Sequence, residues 1–164
     1  MITARIIIAG GRDFDDNHLR RDYEYLTKSV DKVIHDLYEE LNTDELINIQ
    51  IVSGMAVGAD FLGIKYAMEK QYPIHPEEPK FWIYGQEAGK CRNIAMAEYA
   101  IKADYPILCA FWDGKSKGTE HMIGTAQLYN IRTKIFPYDN LIDKETDNAC
   151  SSYLKADEED KVES

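Results

Sequence analysis

Long hydrophobic runs are missing from this chain of 164 residues. No apolar stretch approaches the roughly 20 residues that a membrane-spanning helix needs. The residues after Met1 lead straight into a strand-like run, without the pattern of a signal peptide. The three cysteines, Cys91, Cys109 and Cys150, lack the paired close spacing of a zinc site or a disulfide framework. These absences predict no membrane span, no bound metal and a cytoplasmic location.

Basic residues are also scarce. The chain has 19 Lys and Arg against 29 Asp and Glu, which gives a net charge of −10 at pH 7. Because nucleic-acid backbones are negatively charged, this balance disfavours general nucleic-acid binding. The last 22 residues alone carry eight acidic and three basic side chains, and hydrophobic periodicity fades there. We therefore expect one domain over residues 1–142 and an acidic, flexible tail over residues 143–164.

Strand-like and helix-like segments alternate along the chain. This alternation predicts an α/β fold, a three-layer sandwich with a mostly parallel sheet and helices on both faces. The predicted strands are Arg5–Ala9, Ile47–Ser53, a short strand after Pro73, Tyr105–Trp112 and Arg132–Pro137. The predicted helices run from Leu19 to Leu41, from Ala59 to Tyr72, from Ala88 to Ala103 and from Gly118 to Asn130.

Apolar spacing also predicts how the middle helices are oriented. Phe61, Ile64 and Met68 share one side of the second helix, and Ile94, Ala97 and Ile101 are expected to face inward from the third. Between these helices, an exposed loop is expected to carry Phe81, Trp82 and Tyr84. These aromatic side chains are interpreted as a cover for a bound base or as a packed lid or dimer contact.

Two standard phosphate-binding motifs, G-x-G-x-x-G and G-x-x-x-x-G-K-[ST], are absent, but three other glycine-rich turns follow predicted strands. The first is Gly10-Gly11-Arg12-Asp13-Phe14. Its glycines can let the backbone approach a ligand, with Arg12 as a bidentate phosphate clamp. The alternative is a tight turn in which Arg12 pairs with Asp13, Asp15 or Asp16.

The second turn is Ser53-Gly54-Met55-Ala56-Val57-Gly58-Ala59-Asp60. Its small residues Ser53, Gly54, Gly58 and Ala59 can let several N–H groups point into one concavity that suits phosphate. Asp60 falls in the first turn of the following helix, where it can accept hydrogen bonds from ribose hydroxyls. It can equally stabilise the helix N-terminus without contacting any ligand.

The third turn is Asp113-Gly114-Lys115-Ser116-Lys117-Gly118-Thr119-Glu120, followed by His121. Thr119 is predicted as the N-cap, and the helix start with Gly118 can hold a phosphate. Glu120 is a candidate general base or an ordinary first-turn carboxylate. His121 can titrate near neutrality or serve as a packing residue.

A fourth segment, Gly89-Lys90-Cys91-Arg92-Asn93, opens the third helix. Lys90 and Arg92 oppose the helix dipole at this position, which favours a role in anion binding. Because the carboxyl ends of parallel strands meet at one edge of a sheet, we expect these turns to line one crevice. The implied ligand carries phosphate.

In this order, the four segments resemble the YspA/cpYpsA-related branch of the SLOG superfamily, over about residues 4–137. The resemblance implies a Rossmann-like fold, a nucleotide or nucleotide-derived ligand such as ADP-ribose, no separate cofactor, and a homodimer or higher homo-oligomer. Relatives include the Lonely guy phosphoribohydrolases and nucleotide sensors in bacterial immunity. The resemblance thus implies a sensor or sequestering protein of a phage or its bacterial host.

The same resemblance implies a second function, hydrolysis of the N-glycosidic bond of a nucleoside monophosphate. Arg92 matches the arginine that the hydrolases use beside the ribose phosphate. Their catalytic glutamate stands two residues after the threonine, where this chain has His121. Glu120 comes one residue earlier, which rotates its side chain by about 100° on a helix. The candidate catalytic residues are therefore Arg92 and Glu120, with His121 or Asp60 as other choices, and a scaffold with a vestigial pocket is the third alternative.

Overall fold

A computed structural model of the chain describes residues 1–14 and 21–139. The predicted acidic tail, Cys150, Asp15, Asp16 and Leu19 lie outside the described residues. The strands are β1 (Thr3–Gly10), β2 (Asn48–Ser53), β3 (Ile74–Pro76), β4 (Tyr105–Trp112) and β5 (Arg132–Pro137). The helices are α1 (Arg21–Leu41), α2 (Ala59–Lys70), α3 (Phe81–Tyr84), α4 (Ala88–Ala100) and α5 (Lys117–Leu128).

The five strands form one parallel sheet in the order β3-β2-β1-β4-β5. Successive side chains of a strand point to opposite faces, so β1 contributes Ile6 and Ile8 to one core and Ile7 to another. The first core includes α1 and α2, and the second includes α4 and α5. The predicted α/β fold is confirmed, and it is consistent with a Rossmann-like three-layer sandwich.

The predicted bounds of β4 and β5 are confirmed, but the orientation of α2 differs from the sequence pattern. Phe61 and Met68 are 46% and 69% exposed, whereas Gly63 and Ala67 are buried. A Cβ on Gly63 would lie 2.9 Å from the Cβ of Ile8 in β1. The helix therefore lies close to the sheet at Gly63 and Ala67, with Leu62 and Tyr66 buried beside them, while Phe61 and Met68 stay outside.

The inward face of α4 was also predicted in part wrongly. Ala97 is buried as expected, but Ile94 is 37% and Ile101 43% exposed, and Met96 and Asn93 are buried instead. The helix ends at Ala100 rather than Ala103. The segment predicted as an exposed loop contains the short helix α3, whose apolar residues are exposed, and then a 3-10 turn at Gly85–Glu87.

Helix α5 begins at Lys117, and its N-cap is Ser116 rather than Thr119. The Ser116 hydroxyl accepts from the Thr119 backbone N–H, so Thr119 stands inside the first helical turn. Within residues 1–14 and 21–139, no helix combines the length and apolar character that crossing a membrane requires.

Candidate functional site

A cleft of about 540 Å³ lies outside the carboxyl ends of the central strands. Strand β1 has β2 on one side and β4 on the other, and the chain crosses to them over opposite faces of the sheet. Loops that leave in opposite directions at such a switch point open a crevice in parallel α/β folds. The volume falls within the range of about 300–1,000 Å³ typical of small-molecule pockets.

The structure brings residues from all four predicted segments to this cleft. The first turn contributes Gly10, Gly11, Arg12 and Asp13, and the second contributes Asp60. Helix α4 contributes Lys90, Arg92 and Asn93, and the start of α5 contributes Gly118, Thr119 and His121. Ser53, Gly54, Gly58, Ala59, Asp113, Gly114 and Glu120 are not among the lining residues.

The glycines of the first turn are required by packing. A Cβ on Gly10 would lie 2.4 Å from the Phe111 carbonyl oxygen of β4, and one on Gly11 would lie 1.8 Å from the Tyr138 hydroxyl. The Gly11 N–H donates to the same Phe111 carbonyl oxygen, at 3.2 Å. The Tyr138 hydroxyl donates to Asp13 Oδ1 at 2.5 Å, which joins the turn to the residue after β5. Close approach of Phe111 in β4 therefore explains Gly10, and close approach of Tyr138 explains Gly11.

The second turn is built around the carbonyl of Gly11. This oxygen accepts the N–H groups of Phe14, at 3.3 Å, and of Ala59, at 3.1 Å. Gly58 stands directly above it with φ of 90° and ψ of −133°, a conformation that L residues rarely adopt. Gly58 therefore packs the second turn against the first without lining the cleft itself.

Arg92 is the most constrained basic side chain of the cleft. Its Nη1 donates to the Gly54 carbonyl oxygen at 3.1 Å, and its Nη2 donates to Asn93 Oδ1 at 3.2 Å. Its Nε is buried and has no hydrogen-bond partner among the described residues. Burial is the main cause that lowers the Arg92 pKa, and the nearby Arg12 adds to the effect. Two N–H groups of the terminal nitrogens thus remain without an acceptor among the described residues, while the Nε–H is enclosed by the protein.

Asp60 lies beside Arg92 at the start of α2 and is only 4% exposed. Its Oδ2 accepts the Ala56 N–H at 3.2 Å. Burial raises the pKa of Asp60 to about 6, although Arg92, the Ala56 N–H and Arg12 act in the opposite direction. Asp60 therefore titrates in mildly acidic solution and is mostly a carboxylate at pH 7, in contact with the cleft.

Ionisation of Asp60 should make stability depend on pH. Between about pH 4 and pH 6 the folded chain keeps a proton that the unfolded chain has released, so the free energy of unfolding falls as pH rises through this window. The amide side chain that Asp60→Asn introduces cannot ionise. We therefore expect the free energy of unfolding of this variant to be close to that of the parent chain at pH 4 and about 2–3 kcal/mol higher than it at pH 8. Urea unfolding at several pH values measures this difference. A difference that stays constant with pH would contradict the assignment.

The third turn prepares the start of α5. Gly114 has φ of 82°, and the Asp113 carboxylate accepts the N–H groups of Lys115, at 2.9 Å, and Ser116, at 2.8 Å. Burial acts to raise the pKa of Asp113, but these bonds together outweigh it and hold the pKa below its ordinary value. The turn thus aims the helix start, with Lys117, Gly118 and Thr119, at the cleft. The first N–H groups of a helix have no acceptor within it and suit an anion.

Asn93 and His121 connect α4 with α5. Asn93 is 2% exposed, and its Nδ2 lies 3.3 Å from the Gly118 carbonyl oxygen and 3.0 Å from His121 Nδ1. Since Nδ2 can only donate, His121 Nδ1 accepts and Nε2 carries the proton. Burial lowers the His121 pKa, and the positive charges of Lys90 and Arg92 lower it further. His121 is therefore a neutral hydrogen-bond donor at pH 7.

Glu120 faces away from the cleft. Its carboxylate pairs with Lys117 at 3.2 Å, and the Glu120 side chain is 55% exposed. Lys90 pairs in a similar way with Glu87, at 3.7 Å. Arg12, by contrast, makes no ion pair or hydrogen bond with any residue in the two described segments, so its predicted pairing with Asp13 is not found.

Basic residues outnumber acidic ones in the lining of the cleft, although Lys90 and Lys117 each pair with a glutamate outside it. Four basic residues line it (Arg12, Lys90, Arg92 and Lys117), against two acidic ones, Asp13 and Asp60. This excess stands within a chain of net charge −10. Sequence reasoning missed Met96 and Met122, which also line the cleft. No local motif marks them, because each reaches the cleft through tertiary packing.

No protein-family model, curated protein or solved structure matches this chain.

Proposed function

We propose that this chain binds a nucleotide or nucleotide-derived small molecule in the cleft, as a sensor or sequestering protein. The observation that carries the proposal is the state of Arg92. Its guanidinium is partly desolvated and has three N–H groups without an acceptor among the described residues, one of them buried. Because Arg92 lines the cleft, an anionic ligand group would supply an acceptor for the N–H groups of its terminal nitrogens.

Two further features support a phosphate-bearing ligand. Arg12 lies near enough to Arg92 and Asp60 to shift their pKa values, yet the described residues hold it by no ion pair. The start of α5, with Gly118 and Lys117, faces the same space. Two guanidinium groups and a helix N-terminus together form a suitable environment for phosphate oxygens.

Binding without turnover is the form of the proposal that the geometry favours. Glu120, the candidate general base, is exposed and paired with Lys117 outside the cleft lining. His121 stands in the position of the hydrolase glutamate, and because its Nδ1 already accepts from Asn93, only the Nε2–H donor is left for a ligand. The SLOG membership, a cytoplasmic location, a role in phage or bacterial immunity, and a homodimer or higher homo-oligomer stay predictions from the sequence.

Calorimetric titration with the four ribonucleoside monophosphates and ADP-ribose tests the proposal. We expect at least one of them to bind, and Arg12→Gln to weaken that binding about 10-fold, because one charge-assisted contact is lost. Arg132→Gln is the matched control, since Arg132 opens β5 at the opposite edge of the sheet and pairs with Glu40. A panel without binding, or equal weakening by both variants, would contradict the proposal.

A further inference from the structure

One oxygen of the Asp60 carboxylate has no function in the fold. Asp60 is 4% exposed, and Oδ2 accepts the Ala56 N–H. Asp60 Oδ1 accepts no hydrogen bond from any residue in segments 1–14 and 21–139. This oxygen is not among the fully buried unpartnered atoms of the described residues, so it is open to a donor from the cleft. Because Asp60 lines the cleft, a ligand can supply the missing donor.

The neighbouring arginines do not satisfy this oxygen. The hydrogen bonds of Arg92 go to the Gly54 carbonyl and to Asn93 Oδ1, and Arg12 makes none with the described residues. Both act on Asp60 only through their charge. Asp60 Oδ2 and Arg92 Nε nevertheless flank the same point, since a Cβ on Gly54 would lie 2.8 Å from the first and 2.9 Å from the second. The Asp60 carboxylate and the Arg92 guanidinium thus lie next to each other beside Gly54.

The positive charges near Asp60 restrict the kind of hydrogen-bond donor that can bind to it. A ligand ammonium group would approach Asp60 against the positive charges of Arg12 and Arg92, in a cleft with an excess of basic residues. The described residues also contain no group of three or more His, Cys, Asp or Glu that could hold a metal ion. A neutral hydroxyl satisfies the carboxylate without either difficulty.

We infer that Asp60 determines specificity by accepting a hydrogen bond from a sugar hydroxyl of the ligand, while the arginines hold its phosphate. This inference rests on the proposed function. The ligand class is therefore a sugar phosphate with a free hydroxyl, such as a ribonucleotide, and analogues without that hydroxyl bind weakly. Asp60 is a binding residue in this assignment and has no catalytic step.

A ligand-variant cycle tests the inference. The four ribonucleoside monophosphates and their 2′,3′-dideoxy counterparts are titrated into the parent chain, Asp60→Asn and Asp60→Ala. We expect loss of both hydroxyls to weaken binding to the parent chain about 10-fold or more, because a charge-assisted hydrogen bond is lost. The same loss should weaken binding less than about 3-fold in Asp60→Asn and leave Asp60→Ala unchanged. Asp60→Ala keeps the test valid if the amide introduced by Asp60→Asn makes a new contact with the ligand.

The outcomes separate the two proposals. If no ribonucleotide binds the parent chain, both the proposed function and this inference fail for nucleoside monophosphates. If ribo and dideoxy forms bind equally, the inference fails and the proposed function stands. Discrimination that persists in both variants would assign the hydroxyl to another residue. Discrimination that disappears when EDTA is added would mean that Asp60 acts through a divalent cation, which also overturns the inference.

Discussion

Replacing Arg92 with Gln is expected to weaken nucleotide binding about 100-fold while leaving the fold almost as stable as before. The affinity loss corresponds to about 2.7 kcal/mol, within the range for hydrogen bonds that involve a charged group. Stability changes little because the folded chain keeps this guanidinium partly desolvated and without an ion pair to any described residue, with the repulsion of Arg12 acting against the attraction of Asp60. Removing a buried cation that is only partly compensated offsets the loss of its bonds to Gly54 and Asn93.

Two measurements make this expectation specific. Calorimetric titration with the tightest-binding nucleotide gives the affinity, and thermal unfolding without ligand shows whether the variant folds. Arg92→Lys retains the charge but loses the planar fork, so its affinity should fall between those of the parent chain and Arg92→Gln. Unchanged affinity in Arg92→Gln, with a melting temperature near that of the parent chain, would place the binding site elsewhere.

A second variant tests the same site while keeping arginine at position 92. Gly54→Ala would put a Cβ 2.9 Å from Arg92 Nε and 3.0 Å from its Cδ, so the side chain has to move. Because Gly54 contributes no side chain of its own, weaker binding in this variant would follow from the displacement of Arg92 and Asp60. Agreement between the two variants would therefore support the position of Arg92 as well as its charge.

The sequence predicted the strands better than the faces of the helices. The apolar run over Tyr105–Trp112 is continuous, as expected for a central strand buried on both sides, and its bounds are confirmed. The face of α2 depends instead on residue size. Gly63 and Ala67 allow the helix to approach the sheet, whereas an apolar pattern gives more weight to Phe61 and Met68. Periodicity alone does not measure how close two layers lie.

The candidate site was predictable as a set of turns but not as a set of contacts. Glycine spacing after strands indicated which segments meet at the edge of the sheet. It did not indicate that Gly10 and Gly11 are fixed by Phe111 and Tyr138, which come from distant parts of the chain. Nor can a sequence motif indicate that Asp60 is almost fully buried while its Oδ1 accepts no hydrogen bond from the described residues, because that state depends on how distant segments pack.

Gly58→Ala is expected to be the most destabilising single substitution among those considered for the site. The backbone conformation at Gly58, with φ of 90° and ψ of −133°, costs an L residue about 1–3 kcal/mol. A Cβ there would also lie 2.3 Å from the Gly11 carbonyl oxygen and 2.6 Å from Arg12 Cα. Both are backbone atoms, so relief requires the turn itself to move, at a further cost of about 1–3 kcal/mol.

Gly124→Ala is the matched control for this substitution. Gly124 lies inside α5, and a Cβ there would meet nothing within 4 Å. Alanine should therefore stabilise the helix by about 0.5–1 kcal/mol, so the two variants should shift the urea midpoint in opposite directions. Because the Gly11 carbonyl anchors Phe14 and Ala59, movement of this turn should displace Arg12 and weaken nucleotide binding in whatever fraction of Gly58→Ala remains folded. If Gly58→Ala were as stable as the parent chain, the first and second turns could not be in contact as described. The positions of Arg12 and Asp60, which depend on that contact, would then be contradicted as well.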